Sequence, residues 1–324
     1  MSILDDLAIE PLPGDLARCE ARLSDAVGHD DRFLGEVAEH LLKAGGKRLR
    51  PTLAICAAYA AGGIAPASAD ILTGAASVEL VHLGSLYHDD VIDEAATRRG
   101  VPSVNARWSN ITAILAGDFL LARASSLAAS LGADVAALLA DTIGELCRGQ
   151  ILELQFLFNA ERTEESYLSS IEGKTASLLA TAARVGGMVS RVDPATLDAL
   201  TQFGHHLGMC FQIVDDVLDL TQSEAELGKP SGNDLHEGVY TLPVIHAAAG
   251  DADLCAMLGR KLEWPDVEAA RQRVIAADVI DASLAVARTH AGKARECLTG
   301  AEALDPLVCD RLATMVDGLV TRSF

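Results

Sequence analysis

Apolar residues recur at helical spacing along almost the whole chain, and no alternating β-branched run interrupts them. The pattern breaks only where proline and glycine punctuate it, at Pro11-Leu12-Pro13-Gly14, Pro51, Pro66, Pro102, Pro194, Pro230, Pro243, Pro265 and Pro306. This punctuation predicts helices over 15–28, 31–44, 51–62, 67–94, 105–131, 134–158, 164–188, 195–221, 241–249, 264–277, 279–300 and 306–321. The fold class expected is therefore all-α. Half of the 324 residues are apolar while only 4% are aromatic, a balance that favours close-packed helices. With no low-complexity linker and no repeat of fixed period, residues 1–324 read as a single all-α domain.

Charge narrows the function classes. A net charge of −20 repels nucleic acid and anionic membrane surfaces, so no nucleic-acid partner is expected, and any anionic ligand needs a dedicated cation cluster or a metal. The seven cysteines, Cys19, Cys56, Cys147, Cys210, Cys255, Cys297 and Cys309, are scattered and lack CxxC spacing, which argues against disulfides and thiolate zinc sites. The start, Met1-Ser2-Ile3-Leu4-Asp5-Asp6, has neither the positive region nor the apolar block of a secretion signal, and a cytoplasmic location is expected. The longest apolar stretch, Thr52 to Ala69, is too rich in Ala, Gly and Pro for a membrane span, so no transmembrane segment is expected.

Two segments carry the chemistry. Asp89-Asp90-Val91-Ile92-Asp93 closes one long predicted helix and Asp215-Asp216-Val217-Leu218-Asp219 closes another. Residues i and i+4 lie about 40° apart around a helix, so Asp89 and Asp93 share a face, as do Asp215 and Asp219. Stacked carboxylates repel, and the negative end of the helix dipole adds to the repulsion. Mg²⁺ is the natural counter-ion, because it takes hard oxygen ligands and is typically held by one or two carboxylates together with substrate phosphates. The alternative, two solvated acidic helix ends, accounts for one copy better than for two. The stretches upstream, Ala75 to His88 and Phe203 to Val214, carry no charge beyond Glu79 and their histidines. Metal at the mouth of an apolar cavity suits a diphosphate with a hydrocarbon tail.

Other features read more plainly. Gly45-Gly46-Lys47-Arg48 lacks the spacing and the preceding strand of a nucleotide-binding P-loop. His205 and His206 are adjacent, fall on different helix faces and make a poor chelating pair. Trp108 and Trp264 are expected to be packing residues. His88 is placed either to support a metal ligand or to pack in the core.

Taken together, Gly45-Gly46-Lys47-Arg48-Leu49-Arg50-Pro51, His82, Tyr87-His88-Asp89-Asp90-Val91-Ile92-Asp93, Thr97-Arg98-Arg99-Gly100, Gly117-Asp118, Gly173-Lys174-Thr175-Ala176, Phe211-Gln212-Ile213-Val214-Asp215-Asp216 and Gly228-Lys229-Pro230 resemble, in order, the motifs of the trans-prenyl diphosphate synthases, the polyprenyl synthetase family. The resemblance implies an isoprenoid-synthase-type antiparallel helix bundle around a central apolar cavity, usually as a homodimer. It implies that Asp89, Asp93 and Asp215 bind Mg²⁺, three ions with the allylic substrate, supported by Asp90, Asp216 and Asp219. It further assigns Arg98, Lys174, Gln212 and Lys229 to the allylic diphosphate and Lys47, Arg50, His82 and Arg99 to isopentenyl diphosphate. Thr175 and Gln212 would orient the allylic cation, although Thr175 reads equally well as a helix-start cap. The family is thought to use the released diphosphate as the base that takes the final proton.

The same resemblance bears on product length. Gly84 and Ser85, five and four residues before Asp89, are small where short-chain relatives carry bulky aromatics, and they are expected to face the same open tunnel, with Val81 the next turn up. One helical turn rises 5.4 Å, comparable with one isoprene unit, and a product of about C30–C50 is expected. Gly84→Phe is then expected to shorten it. Tyr87, roughly 200° around the helix from Asp89, is expected to face elsewhere. Val239 stands where many relatives have a lysine, and the final Thr321-Arg322-Ser323-Phe324 lacks a basic tail. Competing readings are a geranylgeranyl (C20) synthase, a class I terpene cyclase, which has no use for an isopentenyl pocket, and a non-catalytic subunit of a heteromeric synthase.

Overall fold

The computed structural model describes residues 7–223 and 230–321. Its elements are α1 (Leu12–Val27), α2 (Arg32–Lys43), α3 (Leu49–Gly62), α4 (Ala69–Ile92), β1 (Thr97–Arg98), β2 (Val101–Pro102), α5 (Val104–Arg107), α6 (Asn110–Leu131), α7 (Ala133–Gln155), α8 (Glu164–Ile171), a π-turn (Glu172–Ala176), α9 (Ser177–Val189), α10 (Pro194–Thr221), α11 (Asn233–Glu237), α12 (Leu242–Gly250), α13 (Ala252–Met257), α14 (Trp264–Ala276), α15 (Ile280–Thr299) and α16 (Pro306–Thr321). Apart from one two-residue antiparallel hairpin the described elements are helical, as the all-α expectation requires.

Two compact units emerge. The first takes in the chain up to Ile143 with Leu178–Gly204 and Cys297–Met315; the second takes in Gly144–Ser177, His205–Glu296 and the chain from Val316 on. In the first, α4 is the central element. It is apolar on every side, and Leu72, Ala75, Val78, Leu80, Val81 and Leu83 are all buried, as befits a helix surrounded by others. Its neighbours are α1, α3 and, most extensively, α6. Ser68 caps its start, its hydroxyl accepting from Ile71 N–H at 3.3 Å. In the second unit, Leu220, Leu235, Tyr240, Val244, Leu254, Leu262, Val267 and Val274 form a buried cluster joining α10, α11, α12, α13 and α14.

Several boundaries differ from the sequence reading. The helix expected over 105–131 is two, because Trp108 leaves helical geometry and Ser109 caps a fresh start with Thr112 N–H at 3.1 Å. The helix expected over 164–188 contains the π-turn, a wider coil that periodicity alone does not register. The hairpin and the short α11 and α13 lack enough residues to show a period. Helix α6 is long and apolar enough to cross a membrane by length and composition. In the fold it lies along α4 with Ala113, Ala116, Gly117, Leu120 and Ala124 buried, and it turns Ile111, Ile114 and Leu115 outward.

Candidate active site

The first acidic motif forms the last turn of α4. Asp89 is half-buried and Asp93, the C-cap, is exposed, whereas Asp90 between them is fully buried. The cation that offsets this crowding is within reach along the chain. Arg98 Nε donates to Asp90 Oδ1 at 2.6 Å, and its Nη2 lies 4.0 Å from Asp93 Oδ2. Burial pushes the Asp90 carboxyl upward and Arg98 opposes it. The hairpin that delivers Arg98 turns through Arg99 and Gly100, both at positive φ (53° and 77°), the two-residue turn that matches strand twist. Asn105 Nδ2 ties its far side to the carbonyls of Asp90 and Ala95 at 3.0 and 3.2 Å.

Arg99, at that turn, reaches the loop before α3, donating to Leu41 O at 3.2 Å and to Gly45 O. Glycine at position 46 leaves room for this, since a Cβ there would lie 2.9 Å from the guanidinium carbon. Arg48 is anchored instead of available. It is buried, donates to Glu79 Oε1 at 2.9 Å and to Leu42 O at 3.1 Å, and pairs with Glu20. Losing one member of such a buried pair costs about 3–5 kcal/mol. Arg50 points its Nε into buried space where no hydrogen-bond partner meets it among the described residues, and burial, reinforced by Arg99, pushes it down to about 10 against the pull of Glu79. His82 is held well below the usual imidazole range by burial and by Arg50, Arg99, Arg48 and Arg98. Of the four guanidiniums around this imidazole, Arg48 pairs with Glu20 and Glu79 and Arg98 with Asp90, which leaves Arg50 and Arg99 to meet an anion in a chain of charge −20. Lys47 sits exposed at its edge.

The second unit carries the other motif at the end of α10. Here the first acid, Asp215, is exposed, and the next, Asp216, is buried as Asp90 is. Asp216 accepts from Gln212 Nε2 at 2.7 Å and from Tyr167 OH at 2.6 Å. Thr175 Oγ1 donates to Gln212 Oε1 at 2.8 Å, which fixes which way the amide faces and replaces the cap role that Thr175 also suggested. Burial pushes the Asp216 carboxyl upward; the hydrogen bonds of Tyr167 and Gln212 oppose the shift, and Asp215 and Glu153 add to it. Lys174 Nζ donates to Glu153 Oε1 at 2.6 Å. Asp219 is buried and accepts from Asp234 N–H at 3.2 Å, so it fastens the start of α11. Lys229 lies outside the described residues.

Lys174 and Thr175 owe their placement to the π-turn, which is pressed against α7 through Gly149 and Gly173. A Cβ on Gly149 would lie 2.4 Å from Lys174 N, and one on Gly173 would lie 2.8 Å from Glu145 O. Sequence reasoning missed Gly149, Glu153, Arg162 and Tyr167; only Gly149, a glycine within helical pattern, offered a signal, since glycine there costs about 1 kcal/mol and demands a reason.

One expectation is corrected. Gly84 does not share an open path with Ser85: a side chain there would meet Gly117 O at 3.1 Å and Leu121 at 3.1 Å, so Gly84 is where α4 and α6 cross. Ser85 is half-buried, its hydroxyl donating to His82 O at 2.9 Å, and Val81 is fully buried. Tyr87 does face elsewhere, donating to Val37 O of α2 at 2.7 Å. His88 packs on Gly117, with its Nε2 3.1 Å from Ile114 O. His206 Nδ1 lies 3.1 Å from His290 Nδ1 on α15, and burial holds both at about 4, so they are neutral packing partners near neutral pH.

The donor set fits Mg²⁺. Among the described residues no three His, Cys, Asp or Glu side chains converge to hold a metal by themselves. A hard ion that keeps its waters and shares one or two carboxylates with a substrate phosphate needs no such cage. The acids Asp89, Asp93 and Asp215 offer only oxygen, and Asp90 Oδ2, next to Asp89 in the chain, is buried without a hydrogen-bond partner among the described residues.

The chain is similar to known proteins over almost its whole length. Nonaprenyl diphosphate synthase of Mycobacterium tuberculosis is 39% identical over 315 residues, covering 95% of this chain and 92% of its own. Heptaprenyl diphosphate synthase component 2 of Geobacillus stearothermophilus is 38% identical over 292 residues, covering 89% and 90%. The crystal structure of a polyprenyl synthase from Caulobacter crescentus, complexed with calcium and isoprenyl diphosphate, superposes with a TM-score of 0.91 at 33% identity, covering 100% of this chain and 98% of that one. Residues 31–274 match the family described as Polyprenyl synthetase, and the chain belongs to that family.

Proposed function

We propose that the chain condenses isopentenyl diphosphate with an allylic diphosphate, head to tail and with Mg²⁺, building a trans-polyprenyl diphosphate of about C30–C50. The enzyme is a prenyltransferase of the long-chain polyprenyl diphosphate synthase class. The observation that carries the reading is the presence in one chain of two acidic helix ends and a separate cluster of Arg50, Arg99 and neutral His82 with a buried, unsatisfied Arg50 N–H. A cyclase would have no second anion to bind there.

Asp89, Asp93 and Asp215 would hold Mg²⁺, three ions with the allylic substrate in place, and bound Mg²⁺ supplies charge neutralisation for the departing diphosphate. Arg98, Lys174, Gln212 and Lys229 bind that same group, so part of the charge that develops as the C–O bond ionises meets fixed donors. Lys47, Arg50, His82 and Arg99 hold isopentenyl diphosphate by its charge and leave its double bond to attack the allylic carbon. Thr175 and Gln212 present dipoles to the cation. The released diphosphate takes the proton whose loss restores the alkene.

Ser85 is assigned to the path of the growing chain. Each added isoprene unit buries five carbons, on the order of 3–4 kcal/mol, so growth continues until a side chain blocks it. Ser85→Phe is expected to shorten the product, read by chromatography of the dephosphorylated alcohols; unchanged length would place the path elsewhere. Gly84→Phe is expected to destabilise the fold by about 1–3 kcal/mol through overpacking against Gly117 and Leu121. The exposed Ile111, Ile114 and Leu115 of α6 are assigned to a second copy of the chain. Sedimentation equilibrium should give two chains per particle, and one would contradict the assignment.

The deciding assay incubates purified protein with Mg²⁺, labelled isopentenyl diphosphate and an allylic starter. Labelled long-chain polyprenyl diphosphate supports the reading and a C20 product shortens it. Cyclic hydrocarbon, or turnover only when a second protein is added, overturns it.

A further inference from the structure

Tyr167 has no part in holding either diphosphate, yet its contacts lead to the centre of the second motif. It is 1% exposed on α8, and a buried phenol must find a partner. Its hydroxyl donates to Oδ2 of Asp216 at 2.6 Å while Gln212 Nε2 donates to Oδ1 at 2.7 Å. Each carboxylate oxygen is thus tied to a different element, α8 or α10, and the plane of the group cannot turn. The amide of Gln212 is fixed in its turn, because Thr175 Oγ1 donates to its Oε1.

Tyr167 is itself clamped. The Arg162 guanidinium lies 5.6 Å over its ring, with Nη1 donating to Tyr240 O at 3.1 Å and Nη2 to Ser170 Oγ at 2.5 Å. Ser170 Oγ donates onward to Tyr167 O at 2.8 Å. Nη1 and Nη2 of this buried arginine go to neutral oxygens and its plane lies over a ring, so it braces a tyrosine, with Nε unpartnered among the described residues.

We propose that Tyr167, braced by Arg162, is a positioning residue for the allylic half of the reaction: its hydroxyl locks the Asp216 carboxylate and, through it, the Gln212 amide. This rests on the reading that Gln212 and the second acidic motif flank the allylic diphosphate. Preorganisation of this kind acts on the ionising substrate and leaves the isopentenyl patch alone.

Tyr167→Phe keeps the ring under Arg162 and removes one oxygen. In the full-length protein kcat is expected to fall about 10- to 100-fold, the range of a hydrogen bond to a charged group. The Mg²⁺ concentration for half-maximal rate should rise several-fold, KM for isopentenyl diphosphate should stay within about twofold, and the melting temperature within about 3 °C. Equal kcat and equal Mg²⁺ dependence would overturn the proposal, as would a loss of rate matched by a loss of folded protein. Arg162→Lys, which removes the flat brace and keeps the charge, should reproduce the same kinetic pattern in weaker form, and wild-type kinetics there would remove Arg162 from the proposal. If wild type shows no condensation, the reading of the reaction fails separately, and calorimetry of inorganic diphosphate with Mg²⁺ then decides the positioning role. Binding weakened by Tyr167→Phe supports it and equal binding overturns it.

Discussion

Replacing Asp89 or Asp215 by alanine lowers turnover by about 10²–10³-fold, the range seen when one preorganised charge-stabilising group is removed. Stability should hardly change. Both side chains are partly open to water, and both share a helix face with another carboxylate. Substitution at such water-exposed positions usually moves stability by no more than about 0.5 kcal/mol, so the melting temperature is expected to change little. Asp90→Ala is the contrasting variant. Asp90 is fully buried and bonded to Arg98, and its loss strands a guanidinium and destabilises the fold. Activity and melting temperature measured on all three separate the acids that act on substrate from the one that shapes the turn. Retained turnover in Asp89→Ala or Asp215→Ala would remove the metal-binding assignment.

Gly149→Ala should destabilise the protein by about 2–4 kcal/mol, although helix propensity alone favours alanine by about 1 kcal/mol. The sign reverses because the new methyl would sit 2.4 Å from Lys174 N and 2.8 Å from both Gly173 C and Ser170 O. These are backbone atoms that no rotamer change can move. Helix α7 and the π-turn must separate by roughly 1 Å, and a misplacement of that size costs on the order of 10²-fold in rate. Glu153, one turn further along α7, would lose its register with Lys174 at the same time. Gly144 on the same helix serves as the control, because a methyl group added there would meet nothing within 4 Å; Gly144→Ala should be neutral or stabilising. Urea denaturation of both variants, with kcat measured where each is folded, checks the prediction, and a change below about 0.5 kcal/mol in Gly149→Ala would contradict it.

The parts of the fold legible in the sequence are those with a period or a local signature. The long α7 and α10 declare themselves by apolar spacing, α4 and α6 by long apolar runs between breaks, and both acidic motifs are readable because the helix repeat places i and i+4 together. Arg98 and Arg99 are readable because Thr97-Arg98-Arg99-Gly100 resembles a family motif. What escapes depends on long-range meeting. Tyr167 and Asp216 are far apart in sequence, and nothing near Tyr167 announces a carboxylate. Gly84 reads as an opening beside Ser85, but the residue opposite decides whether a small side chain leaves space or lets two helices touch. Here it is Gly117, and the helices touch. The π-turn escapes because one extra residue in a coil leaves the apolar pattern nearly intact.

We propose that neither this chain nor Mg²⁺ alone makes the anion site, and that the acids, the ion and the diphosphate complete one another. Calorimetric titration of a non-reactive allylic diphosphate analogue, with Mg²⁺ and then with EDTA, tests it most directly. Tight binding only with Mg²⁺, lost in both Asp89→Ala and Asp215→Ala, is the result predicted. Equal affinity in EDTA, or undiminished binding in the two variants, would contradict it.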